Sequence, residues 1–359
     1  MALGEGSGIA ANVALRDKTE VRAVNVPAVQ REIIKRGGVV LFENTALQPD
    51  GLRPMNHALT CLFAILLAPL AALHADAAPQ LAGEVSTVPL VLKEGGTAEK
   101  PFVFDGKGMV IDLGIDVTEH AWKKEGDVWT SSGPLLNREP IAAGQLAGLF
   151  LGDLPLSLPR DVAAEKLHPE RKEHCYIAPA ALKPGQMGYA EDGSLYFRWP
   201  LGMKPDGTRI ILPPKAGTSA VSIACSHIIV RNITAKHAAN DGFNIHGKWV
   251  GIRLENVRAI ANADEGISAH DDVKMEVVGA EIAWNGSVAG GVADVNRAVT
   301  SYRNCEVHDN LGAAFFFDGK AHAVADTVIF HQTKDFSIRD GTPCQRERIE
   351  WRKSNSPNP

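Results

Sequence analysis

The chain has 359 residues, of which 45% are hydrophobic and 22% charged, ordinary figures for a globular protein of one large or two ordinary domains. A formal net charge of −5 excludes a polyanion binder built on bulk charge, so nucleic acid is not an expected partner. The 34 glycines and 21 prolines, against 6% aromatics, suit short strands joined by many turns better than helices.

Residues 55 to 77, MNHALTCLFAILLAPLAALHADA, read as a secretory signal peptide placed inside the chain. The apolar run from Leu59 to Leu73 is too short to span a bilayer comfortably. It ends in Ala75-Asp76-Ala77, a small-x-small cleavage site, and Pro69 with the following AHADAAP argues against a buried helix. On this reading Met55 is the true start, and residues 1–54 are a mistranslated or disordered upstream segment. The mature chain begins near Ala78, carries no membrane span, and is exported to the periplasm or secreted. Five cysteines are present, and Cys175, Cys225, Cys305 and Cys344 show neither zinc spacing nor a disulfide framework.

Residues 115–214 contain strand-like runs and turn signals, among them a Pro-Gly turn at 184–185 and SLYFRW at 194–199. The alternation in SLYFRW, followed by Pro200, predicts one exposed hairpin strand. This stretch is expected to be a β-rich insertion.

From residue 227 the chain repeats. RNITA at 231–235, ENVRA at 255–259, VGAEI at 278–282, RNCEV at 303–307 and ADTVI at 325–329 align, with second positions Asn232, Asn256, Gly279, Asn304 and Asp326 spaced by 24, 23, 25 and 22 residues. A second ladder of glycines runs beside it: Gly242, Gly266, Gly291 and Gly312. Short alternating runs at this period predict a solenoid of stacked coils, an all-β right-handed parallel β-helix. Asn and Asp at the bends tolerate a left-handed backbone. The tail at 341–359 is not expected to continue the ladder. The helix is expected to run over residues 78–340 and to be monomeric.

Within this frame the segment NADEGISAHDDV at 262–273 gains a partner one coil earlier, NDGFNIHG at 240–247. If Phe243, Ile245, Ile267 and Ala269 point inward, then Asn244, His246, Ser268 and His270 point outward. His246 and His270 should then stack, Asn244 should lie above Ser268, and Asp241 should lie over Glu265, with coils about 4.8 Å apart. Like charges so close must be protonated, paired or bound to a cation. Asp264, Glu265 and Asp272 are candidate calcium ligands. Among Phe315, Phe316 and Phe317, the pattern predicts core rings plus one exposed ring that could stack on a sugar. Asn232-Ile233-Thr234 and Asn285-Gly286-Ser287 fit the glycosylation acceptor pattern.

Over residues 88–335 the sequence resembles the pectate-lyase-like β-helix superfamily, and GGTAEKPFVFDGKGMVIDLG at 95–114 resembles its opening coil. GISAHDDV is similar to the histidine-aspartate box of alginate C5-epimerases. That resemblance implies His270 as base or acid, Asp271 as its orienting group, and a polysaccharide lyase or epimerase acting on a uronate polysaccharide. His246 would share the site, Arg297 or Lys248 would neutralise the substrate carboxylate, and Asn244 and Ser268 would contact the sugar. NDG at 240–242 with DEG at 264–266 resembles the polygalacturonase pattern, which implies a glycoside hydrolase with Asp241, Asp264 and Glu265 as acid and base. A third reading is a non-catalytic carbohydrate- or calcium-binding β-helix protein.

Overall fold

The computed structural model describes residues 83–135, 147–159, 178–190, 192–215, 217–332 and 334–352, all within the unit Pro79–Pro359. The signal peptide at 55–77 and the segment 1–54 lie outside the described residues. Among the described residues no helix is long and apolar enough to cross a membrane.

The repeats fold into a right-handed parallel β-helix. Each coil contributes one strand to each of three faces. The first face is a seven-stranded parallel sheet of Leu90–Leu92, Val221–Ile223, Phe243–Ile245, Ile267–Ala269, Gly290–Val295, Ala313–Asp318 and Lys334–Ile338. The second and third faces join through the long strands Phe102–Asp112 and Ile228–Lys236, which run across the corner between them. Later coils break at that corner, as in Ile252–Glu255 followed by Arg258–Ile260.

The same residue types, Asn, Asp and Gly, mark the corner in these coils. Asn232, Asn256, Asn304, Asp326 and Gly279 all have positive φ, between 48° and 71°. These are the second positions of the sequence repeat, and a left-handed residue there turns the chain without lengthening it. Asn256 Nδ2 donates to Asn232 Oδ1 at 2.8 Å, and Asn232 Nδ2 donates to Asp105 Oδ1 at 2.8 Å. Both Asn232 amide groups are therefore engaged. Asn285 is fully buried, so neither sequon presents a free asparagine.

The register is one long stack. Phe243 pairs with Ile267, Ile267 with Val292, Val292 with Phe315, and Phe315 with Phe336. All five are buried. The neighbouring column runs Ile245, Ala269, Asp294, Phe317, Ile338. Burial of these columns against the coils above and below is the main stabilising term.

A buried asparagine ladder lines the corner between the third and first faces. Asn262 Nδ2 donates to Asn285 Oδ1, and Asn285 Nδ2 to Asn310 Oδ1, each at 2.9 Å. The glycine ladder exists because of it. A Cβ on Gly242, Gly266 or Gly291 would lie 2.7 Å from the Nδ2 of Asn262, Asn285 or Asn310 respectively.

The tail departs from expectation. Cys344–Glu347 and Glu350–Arg352 pair with Ala321–Ala325 and Val328–Phe330 and extend the second and third faces by one more coil. Arg348, at φ 49°, takes the corner position that Asn and Asp hold elsewhere. The charged composition hid this strand pair because, in the last coil, most of its side chains face solvent.

Between the first two coils lies a body of two antiparallel four-stranded sheets. One has the order Trp122–Glu125, Val128–Pro134, Ser194–Arg198, Met187–Tyr189. The other has the order Ile115–Asp116, Ile210–Leu212, Ala147–Leu151, Leu154–Ser157. Ser194–Arg198 is a largely buried interior strand and not the exposed hairpin strand expected, because Leu195, Phe197 and Trp199 join a core with Trp129, Met187 and Leu149. Phe150 and Ile211 pack on Ala261 and Ala263, beside Trp284 and Leu311. His237 completes the junction. Its Nδ1 meets Asp112 Oδ1 at 2.8 Å and its Nε2 meets Gly152 O at 3.1 Å. Both partners only accept, so the ring carries both protons. The insertion therefore abuts the corner that leads into Asp264 and Glu265.

Candidate functional site

The two coils 240–247 and 264–271 present two clusters on the first face. Asp241 and His246 bracket the same strand five positions apart, about 16 Å along its direction. Sequence reasoning gathered these residues into one constellation. The structure separates them into an acidic edge and a histidine edge.

At the acidic edge Asp241, Asp264 and Glu265 each offer a carboxylate oxygen, all within 4.8 Å of one another. Asp241 is only 2% exposed. Its Oδ2 accepts from Asn240 Nδ2 at 3.0 Å and from Asn244 Nδ2 at 2.7 Å. The carboxyl also meets the Glu265 carboxyl, while the Glu265 backbone N–H acts on it in the opposite sense. Two acceptor-only groups cannot bond without a shared proton or a cation. Burial, then the Glu265 and Asp264 charges, hold the Asp241 carboxyl well above the usual range. Glu265 Oε1 accepts from Ser287 Oγ at 2.5 Å. Asn244 is thereby tied to Asp241.

At the histidine edge the rings of His246 and His270 stack with centroids 3.9 Å apart and an interplanar angle of 13°. Asn244 pairs with Ser268 across the two coils. Ser268 is fully buried, so it does not touch a sugar as expected from sequence. It orients His270 instead. Its single hydroxyl proton goes to Ala293 O at 3.0 Å, so its oxygen accepts from His270 Nε2–H at 2.7 Å. The lone pair of a neutral His270 then lies on Nδ1. Burial, then the charge of His246, hold the His270 pKa down to about 4, with Asp271 opposing. His246 Nδ1 lies 3.7 Å from Asp271 Oδ2, and both side chains are about half exposed.

Beyond this edge Arg297 grips Asp272, with Nε to Oδ1 at 2.6 Å and Nη2 to Oδ2 at 2.9 Å. Arg297 thus has a protein partner rather than standing ready as a lone neutralising cation. Asp272 belongs to this ion pair, while the carboxylates that lie together are those of Asp241, Asp264 and Glu265. The Arg297 hydrogen bond lowers the Asp272 carboxyl, with Lys248 and Lys320 adding to the effect. Three cations, Arg297, Lys248 and Lys320, therefore act on the Asp272 carboxylate.

Sequence reasoning missed two further clusters. Asp294 points into the core and accepts from Thr300 Oγ1 at 2.6 Å, Tyr302 OH at 3.0 Å and Ala269 N at 3.1 Å. Burial lifts its pKa to about 7. His322 Nδ1 lies 2.8 Å from Thr300 Oγ1. The alternation of GGVADV was the available signal, since it puts Ala293 outward and Asp294 inward. On the third face Arg258, Glu281, His308 and Asp309 form a paired chain. Arg258 and Glu281 lie 23 residues apart, and Glu281 and His308 27, so no local pattern announces it.

No protein-family model and no curated protein matches this chain. A solved structure titled "The complex structure of XylC with xylose" is similar over 75% of this chain and 64% of that one, at 10% sequence identity and a TM-score of 0.32. The chain thus spans under two thirds of that structure's length.

Proposed function

We propose that this protein is an exported carbohydrate-active β-helix that acts on a uronate-containing polysaccharide by lyase or epimerase chemistry at the histidine edge. The observation that carries the reading is the stacked pair itself. One imidazole is held neutral by burial and by its partner, with its free lone pair fixed on Nδ1 by Ser268. A neutral imidazole is what proton abstraction beside a carboxylate needs at neutral pH. His270 takes the C5 proton. In elimination the C4–O bond breaks as the C4=C5 bond forms, and the departing sugar oxygen takes a proton from His246, which Asp271 supports. In epimerisation the carbanion instead takes a proton from a solvent water on its opposite face, and the proton held on His270 passes to the hydroxide so formed. Lys248 and Lys320 stabilise the negative charge that builds on the substrate carboxylate.

The acidic edge favours a second reading, hydrolysis. The Asp241 carboxyl is held well above the usual range by burial and by its acidic neighbours, and a carboxyl so raised beside a second one is the arrangement a general acid and base use. The same three carboxylates suit a hard cation, and Asp241, Asp264 and Glu265 would be its oxygen ligands. A calcium held there would screen the like charges, with or without catalysis.

The test is product analysis on a panel of uronate polysaccharides, with calcium or with chelator. Ultraviolet absorbance from unsaturated ends that disappears in His270→Ala supports the lyase. New reducing ends without absorbance, lost in Asp241→Asn, overturn it in favour of hydrolysis.

A further inference from the structure

We infer that Phe316 is a sugar-stacking platform, two coils from His270, for the same carboxylate-bearing glycan; this rests on the function proposed above. On the first face the outward column runs Ser222, Asn244, Ser268, Ala293, Phe316, Ser337. Every other member is small or polar. Phe315 and Phe317 are fully buried and pack against Tyr302, Phe336 and each other. Phe316 is half-buried, and among the described residues its ring stacks on no other aromatic side chain. The core therefore needs the rings on either side of it and does not need this one.

The spacing fits an extended ligand. Ser268 and Phe316 are two registers apart, about 10 Å at the usual inter-strand spacing. Ala293, 5% exposed, lies between them. A glycan with one residue at the histidine pair and running along the helix axis would lay a later ring on Phe316. A lysine lies beside the ring. Lys334 Nζ donates to Ser337 Oγ at 3.2 Å beside the ring, and Arg339, two-thirds exposed, pairs with Asp318 on the adjoining edge. A sugar has an apolar face to place on the phenyl ring and a carboxylate to place near Lys334.

The test is binding by calorimetry, with turnover measured in parallel, for Phe316→Ala and Phe316→Trp against uronate oligosaccharides of two and six residues. A neutral hexasaccharide serves as control. The expected result is about a tenfold loss of affinity for the acidic hexamer in Phe316→Ala, the size of an aromatic anchor. Phe316→Trp retains affinity, the dimer is unaffected, and the melting temperature is unchanged. Equal hexamer affinity in Phe316→Ala and wild type overturns the platform, while wild-type turnover then keeps the functional reading. Hexamer binding that depends on Phe316 without any turnover keeps the platform and removes the catalytic reading. Wild-type protein that binds no acidic hexamer overturns both.

Discussion

His246 and His270 stack ring on ring across two adjacent coils, 3.9 Å apart, and Ser268 beneath them fixes which nitrogen of His270 is basic. Two imidazoles so close cannot both be charged without cost, and burial adds to that cost. His270 is therefore the ring held neutral over the range where a base must be free.

The first prediction concerns pH. His270 is held down to about 4, so the base is free well below the ordinary histidine range. The acid limb of the kcat/KM profile should fall near pH 4–5, not near 6.5. Stability follows the same linkage. Between about 4 and the ordinary value near 6.5, the unfolded chain binds the proton that the folded chain does not. Stability should therefore decline as pH falls through that window. Ser268→Ala frees His270 Nε2–H from its acceptor and should lower kcat without abolishing it. A pH–rate profile of wild type and Ser268→Ala checks both points.

At the acidic edge the sign is reversed. Asp241 is held above its ordinary range, so the folded state keeps a proton that the unfolded state releases. That contribution is lost as pH rises above the ordinary carboxyl value. Asp241→Asn keeps the hydrogen bonds to the neighbouring amides while removing the charge. It should flatten the decline of melting temperature between pH 5 and 8. Calcium should raise the wild-type melting temperature at pH 8 and leave Asp241→Asn unmoved. Thermal scans with calcium or chelator decide the matter, and an equal calcium response in both proteins would remove Asp241 from the cation site.

The asparagine ladder makes a stability prediction. Asn285→Ala leaves the Asn262 backbone N–H and one Asn262 amide proton without their acceptor and takes the Asn285 donor from Ala259 O, and should cost roughly 2–4 kcal/mol. Gly266→Ala places a methyl 2.7 Å from Asn285 Nδ2 and 3.0 Å from Gly291 O. It should be destabilising by roughly 1–3 kcal/mol because backbone must move. Urea unfolding of the two variants and the double variant should show that the effects are not additive, since both act on one contact.

His237 supplies the fourth prediction. Asp112 and Asp153 raise its pKa against the opposing effect of burial, and Lys236 adds further opposition. Its contribution is full below the ordinary histidine value and is lost as pH rises through the folded value. Docking of the insertion should weaken on the alkaline side. Limited proteolysis between residues 115 and 212 should accelerate there, and His237→Ala should show the same cleavage at every pH.

Much of this architecture was legible in the sequence, for a physical reason. Asn232, Asn256, Asn304 and Asp326 sit where a left-handed backbone is required, and few residues tolerate it, so chemistry and geometry select the same letters. Inward Phe243, Ile245 and Ile267 alternate with outward neighbours, so the face of His246 and His270 could be assigned. The asparagine ladder was not legible, because Asn262, Asn285 and Asn310 follow left-handed residues as unlike as Ala261, Trp284 and Asp309. Its glycine shadow was visible, but its cause was not. Ser268 misled because outward on a strand does not mean exposed: the larger His270 covers it. Asp272 misled because adjacency to His270 in sequence says nothing about Arg297, which reaches it from the next coil.

The central claim is that His270 breaks a C–H bond. Both elimination and epimerisation must do so, whatever the final product. The most direct measurement is therefore the fate of C5 hydrogen in a uronate oligosaccharide, by deuterium exchange from solvent and by the isotope effect of a C5-deuterated substrate. The account predicts C5–H cleavage in wild type and a loss of about 10²–10⁴-fold in His270→Ala, the worth of a general base. Turnover with C5 hydrogen fully retained, or cleavage undiminished in His270→Ala, would contradict it.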